Sequence, residues 1–185
     1  MRRVLGNSSD VFHFWANQVQ TYGECGNVHF GGPILYSYHA VIGHIVNPTT
    51  ALITTRKWSI TTSSHTTAAI SAASHLTQLF VENPHPITLG DHRRNLNTVR
   101  DEIIDAVGKE RRARKVFMKN RHARNRLERA ETFAAYVNIF KLEKIAAAEY
   151  AGVVSMDMDA IRAGIAAQAA AVAKERAAVA KERAA

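Results

Sequence analysis

Apolar and polar residues alternate at two different periods along the first eighty residues, and those periods predict a small α+β unit. Ser8-Ser9-Asp10 offers a helix N-cap; Val11, Trp15, Val19 and Tyr22 follow at helical spacing, and Gly23 is the stop. Val28-His29-Phe30 predicts a short strand and Gly31-Gly32-Pro33 a turn. Ile34 to Val46 is β-branched and aromatic with apolar residues on both faces, which predicts one long covered strand. Asn47-Pro48-Thr49-Thr50 reads as a turn, making Ala51 to Ile60 an antiparallel hairpin partner. A second helix is expected to start near Thr62, whose hydroxyl can take a first-turn N–H. Its inward face would be Ala69, Ala72, Leu76 and Leu79, with Phe80 beside it and His65 on the same stripe. Asn83-Pro84-His85-Pro86 ends it.

The predicted order is therefore α-β-β-β-α over residues 1–82, followed by a linker at 83–95 and a helical C-terminal extension. In the extension, 96–152 reads as a basic helical region and 153–185 as an alanine-rich helical tail. Val99, Ile103, Ala106, Ala113 and Phe117 lie near heptad spacing; the apolar stripe thins through 118–126 and returns at Leu127, Ala130, Ala134 and Val137. Gly152 marks a break. The tail ends in a tandem repeat, Ala171 to Ala177 and Ala178 to Ala184, each Ala-Val-Ala-Lys-Glu-Arg-Ala. Met158, Ile165, Val172 and Val179 recur every seven residues, but the companion position holds Ile161, then Gln168, Glu175 and Glu182. A strong coiled coil needs apolar residues there, so a solvated helix is the better reading, with homo-oligomerisation through these helices as a candidate.

Charge changes the picture. The whole net excess of +8 sits in residues 109–129, which hold ten Lys/Arg against two Asp/Glu. The cations are Lys109, Arg111, Arg112, Arg114, Lys115, Lys119, Arg121, Arg124, Arg126 and Arg129. Such density favours phosphate neutralisation, and arginine's excess over lysine favours bidentate contacts. DNA or RNA is thus the expected partner, with nothing to suggest that bases are read. The competing account is a solvated helix whose cations meet acidic groups elsewhere. Met1-Arg2-Arg3 precedes no signal-like apolar run, no stretch is long enough to span a membrane, and Cys25 is the only cysteine, so a cytoplasmic protein is expected.

Three groups in the first 82 residues could carry chemistry. His13 lies with Asn17 and Gln20 on the polar face of the first helix; Tyr36 and Tyr38 share a face of the long strand; Ser59, Thr61, Thr62 and His65 gather at the strand-to-helix corner. A histidine beside hydroxyls at a helix N-terminus could act as a base or hold a phosphate. The simpler account makes Thr62 the cap and His65 a neutral structural residue, because the helix dipole opposes its protonation. No metal site is expected: none of the nine histidines pairs at i,i+4, and Cys25 has no partner cysteine. No acidic pair, phosphate loop or nucleophile elbow points to a cofactor or a known reaction.

The pattern His13-x-Trp15-Ala16-x-Gln18, Phe30-x-x-Pro33-x-x-Tyr36-Ser37-Tyr38, Ile42 and Trp58-Ser59-x-Thr61-Thr62-x-x-His65 resembles an uncharacterised small domain of bacteriophages and mobile elements. In that family tyrosine usually stands where this chain has Trp58, and a small residue, often alanine, where it has Gly43. The resemblance covers residues 7 to about 80 and implies a phage-type domain without an established activity. Two main functions follow. One is an accessory protein whose basic helix binds nucleic acid. The other is a small enzyme using His13, Tyr36, Ser59 and His65 on a phosphate-bearing substrate. A helical assembly protein is a third.

Overall fold

Four two-residue loops fold residues 22–54 into a meander. Its strands are β1 (Tyr22–Cys25), β2 (Val28–Gly31), β3 (Ile34–Ser37), β4 (Ala40–Asn47) and β5 (Thr50–Thr54), each antiparallel to the next. Helix α2 (Ile60–Ala72) then crosses over, and β6 (Thr77–Val81) returns parallel to β5, giving the sheet order β1-β2-β3-β4-β5-β6. The computed structural model describes residues 4–184, apart from the side chains at 168, 172, 175, 176 and 178–184. The residues form two units, one running to Thr98 and one from Val99. Met1-Arg2-Arg3 and the predicted heptad side chains of Gln168, Val172, Glu175, Val179 and Glu182 lie outside the described residues.

The class is α+β, as predicted, but the sheet has six strands where three were expected. The stretch read as one strand from Ile34 to Val46 is two, because Tyr38-His39 makes a loop with Tyr38 in the left-handed region (φ 55°). The Tyr38 N–H donates to the Asn27 carbonyl at 2.6 Å, which helps hold this costly conformation. The β5 strand stops at Thr54 rather than Ile60. Leu76 and Leu79 do not extend α2; residues 77–81 instead complete the hydrogen bonds of β5's open edge, a tertiary pairing that overrides helical spacing. Asn7, not Ser8 to Asp10, caps α1 (Ser8–Ala16), its Oδ1 accepting the Asp10 N–H at 2.9 Å. That helix ends a turn early at Gln18 (φ 49°), so Val19 is exposed and Tyr22 opens β1.

Trp15 docks α1. Its ring is fully buried, and its Nε1–H donates to the Pro33 carbonyl at 2.8 Å. The indole lies over Gly43, where a Cβ would come within 2.7 Å of Trp15 Cζ2. Val11, Phe12, Phe30, Leu35, Ile53 and Ala69 share this core with it.

Residues 83–95 are not a linker. Helix α3 (Leu89–Arg112) starts inside that span, and Thr88 and Asp91 cap it reciprocally: the Thr88 N–H donates to Asp91 Oδ2 at 3.0 Å and the Asp91 N–H to Thr88 Oγ1 at 3.2 Å. These bonds, led by the Thr88 backbone, hold the Asp91 carboxyl down to about 2. Buried Asn95 clamps the preceding loop, accepting the Asn83 N–H and donating to the Asn83 carbonyl, both at 2.7 Å.

In the second unit α3 continues to Arg112; α4 (Val116–Ile139), α5 (Glu143–Glu149), α6 (Ala151–Val154) and α7 (Met158–Ala184) follow. Val99, Ile103 and Ala106 are buried as predicted, with Ala130, Phe133, Tyr136 and Val137. Phe117 and Ala134 are exposed, against expectation. For Phe117 the cause is the break at 113–115, which resets the helical phase before α4 begins. After α4 the helical breaks fall at 140–142, at Tyr150 and at 155–157, not at Gly152.

Gly43→Ala should destabilise the first unit by about 1–3 kcal/mol, because the new methyl must displace a buried indole. Urea unfolding reads this directly; an unchanged midpoint would mean that Trp15 has room to shift.

Candidate functional site

Ser59 has the extended backbone of an N-cap, and its Oγ accepts the Thr62 N–H at 3.1 Å, so Ser59 rather than Thr62 caps α2. Ser59 Oγ also donates to Thr62 Oγ1 at 3.1 Å. From the sheet side, Ser37 Oγ lies 2.8 Å from His65 Nδ1 and 3.4 Å from Thr62 Oγ1. Burial pushes the His65 imidazole below the ordinary histidine value, so the neutral ring is the favoured form. Its ring also meets Phe12 of α1 at 5.9 Å between centroids.

Within this network Ser37 is 0% and Thr62 4% exposed, whereas Ser59 is exposed and His65 half-buried. The bonds join α2 to β3 across the core. Of the four residues expected at a catalytic centre, Ser59 and His65 meet through Thr62 and Ser37. The other two do not join them. His13 is exposed on α1, where Asn17 Nδ2 donates to the His13 carbonyl at 2.9 Å. Tyr36 neighbours Ser37 on the strand, so it points to the opposite face, stacked on His29 at 4.8 Å with an interplanar angle of 5°. Tyr38 is in the loop and shares no strand face with Tyr36. Gln20 lies beyond the helix and donates to the Tyr22 carbonyl at 2.7 Å. Ser37 is the member that the sequence reading passed over; its place two residues after buried Leu35 would have put it on the helix-covered face.

The basic segment is not one helix. It covers the end of α3, the connection 113–115 and the first half of α4. Two of its arginines turn back toward α3: Arg126 lies 3.3 Å from Glu110 and Arg129 3.1 Å from Glu102. Lys109 pairs with Asp105 at 2.5 Å one turn earlier. Burial raises the Glu102 carboxyl above its ordinary value, and the nearby Arg129 offsets this only in part. The other seven, Arg111, Arg112, Arg114, Lys115, Lys119, Arg121 and Arg124, are exposed and form no ion pair among the described residues. They crowd the tip of the α3–α4 hairpin. Beside it a groove of about 1130 Å³ is lined by Lys109, Phe117, Asn120, Arg121, Arg124 and Asn125, among others.

The chain matches no family model, no curated protein and no solved structure. Among the described residues no helix is long and apolar enough to cross a membrane.

Ser59→Ala should cost about 1 kcal/mol in thermal or urea unfolding, the usual loss for an N-cap oxygen. A pH effect follows from His44, His65 and His92, all held below the ordinary value of 6.5 chiefly by burial. The unfolded chain binds protons more tightly at these rings, so their contribution is complete above that value and is lost as pH falls through it. Stability should therefore drop between about pH 7 and 5, and less steeply in His65→Gln. Parallel pH profiles for the two proteins would refute a role for His65.

Proposed function

We propose that this chain is a phage-type accessory protein that binds nucleic acid through the phosphate backbone, using the tip of the α3–α4 hairpin. The observation that carries the reading is the seven exposed cations there that no described acidic group neutralises. A helix surface normally disperses its cations among carboxylates; here the carboxylates Glu102 and Glu110 serve the inward-turned Arg126 and Arg129 instead. The remaining charge faces solvent on both helices and on the loop between them, a shape that fits a groove lined by phosphates. No pattern of side chains for reading base edges accompanies it, so binding is without strong sequence preference. The motif resemblance of residues 7 to about 80 to a domain of phages and mobile elements, which no family model matches, is the ground for proposing a role inside a bacterial host, in the cytoplasm. Tyr36, stacked on His29 on the opposite strand face from Ser37, does not join Ser59 and His65, which weighs against the enzyme alternative.

Changing Arg111, Arg112, Arg114 and Lys115 together to Gln should weaken binding to duplex DNA or RNA. It should also flatten the plot of log affinity against log salt, by up to about 0.9 for each phosphate contact removed. Arg126→Gln, by contrast, should act on the stability of the second unit, since it leaves Glu110 unpaired and half-buried. Titration at several salt concentrations with melting curves separates the two effects. Wild-type affinity in the fourfold variant would end the proposal.

A further inference from the structure

A crevice lies in the first unit, far in sequence from the basic hairpin. β5 and β6 run parallel, so both deliver their C-terminal ends to the same edge of the sheet. The chain leaves β5 through Thr55-Arg56-Lys57-Trp58-Ser59 and leaves β6 through Glu82-Asn83-Pro84. Where these two parallel strands end, their connections part and border a crevice. Here the crevice has a volume of about 420 Å³, within the range of small-molecule sites. It is lined by Arg56, Trp58, Glu82, Arg94 and His39, among others.

Its side chains are arranged for a particular chemistry. Trp58 is 47% exposed, whereas the other tryptophan, Trp15, is fully buried. An indole left half in solvent at the wall of a crevice offers a stacking face. Arg56 is held in place: Glu82 Oε1 lies 3.2 Å from its guanidinium, and Glu82 Oε2 accepts the Thr98 hydroxyl at 3.0 Å. The Glu82 carbonyl is itself fixed by the Thr54 hydroxyl at 3.2 Å. Arg56 and Arg94 are each paired with one carboxylate, Arg94 with Asp91 at 3.5 Å, but their side chains remain 52% and 53% exposed and open to a further anion. The buried clamp between Asn83 and Asn95 keeps the opposite wall in position. A flat aromatic wall beside two guanidinium groups matches an aromatic ring that carries an anion. Glu82 adds an acceptor for an amino or hydroxyl group.

We propose that this crevice binds a nucleotide, its base stacked on Trp58 and its phosphate held by Arg56 and Arg94. The nucleotide can be free or part of a strand; the recognition chemistry is the same.

The test uses the full chain with Arg111→Gln, Arg112→Gln, Arg114→Gln, Lys115→Gln, Lys119→Gln, Arg121→Gln and Arg124→Gln, so that the seven exposed hairpin cations do not contribute. Adenosine monophosphate, adenosine, inorganic phosphate and a short oligodeoxyadenylate are titrated by calorimetry, with tryptophan emission followed in parallel. The monophosphate, the oligonucleotide or both should saturate the protein and quench Trp58, with adenosine and phosphate each weaker by about tenfold or more. Saturation by the monophosphate marks a free nucleotide as ligand, and saturation by the oligonucleotide alone marks a strand. Trp58→Ala and Arg94→Gln should each weaken binding by about tenfold while melting as the parent does, and Trp58→Phe should retain most of it. Arg56→Gln should also weaken binding; because it releases Glu82, Arg94→Gln is the cleaner variant. Absence of saturation by either nucleotide probe, or equal affinity in Trp58→Ala and Arg94→Gln, would overturn the assignment.

Discussion

The indole of Trp15 occupies the space that any side chain at residue 43 would need, and the first unit is arranged around that fit. Burying so large a ring is strongly favourable only if its N–H keeps a partner, and the Pro33 carbonyl supplies one from the loop between β2 and β3. The contact thus fixes three things together: the position of α1, the path of the β2–β3 loop and the backbone of β4. Phe12, on the same helix, then bears on His65, so the corner where α2 meets the sheet inherits its geometry from the tryptophan's seat. Polar bonds among Ser37, Ser59, Thr62 and His65 complete the attachment where apolar area is scarce. The described inward face of α2 offers mainly small residues such as Ala69.

The second unit handles a different constraint, the presence of ten cations in twenty-one residues. Folding α4 back along α3 would bring like charges together if all ten shared a face. Turning Arg126 and Arg129 inward against Glu110 and Glu102 converts two of them into cross-links. The raised Glu102 carboxyl records the cost, since holding a half-buried group ionised is unfavourable even beside an arginine. The other cations are left where hydration is easiest. Structural and exposed charge are thereby separated along a single segment.

How much of this is legible in the sequence depends on whether the determinant is local. Loops containing Gly or Pro, at Gly32-Pro33 and Pro48-Thr49, are readable because those residues restrict the backbone themselves. The Tyr38-His39 loop is not, since neither residue demands a positive φ. Strand β6 is hidden because Leu76 and Leu79 also fit a helical stripe; only the open edge of β5 makes the segment extended. The start of α3 does carry a local signal, Thr88-x-x-Asp91, overshadowed by Pro84 and Pro86 just before it. At the candidate sites, sequence locates the hydroxyls and the cations. It does not locate Ser37, whose role needs the distant helix, nor tell Arg126 and Arg129 from their neighbours, which needs the facing glutamates.

The parallel pairing of β5 with β6 also bears on the order of assembly. The meander from β1 to β5 closes through loops of two residues, so each pairing confines little chain. The β5–β6 ladder must wait for the whole of α2 to form and cross over. Contact-order reasoning places it after the meander. The last ladder to form is thus also the one whose ends frame the Trp58 crevice. A chain caught before that step would display its hairpins and its basic helices, but not the crevice.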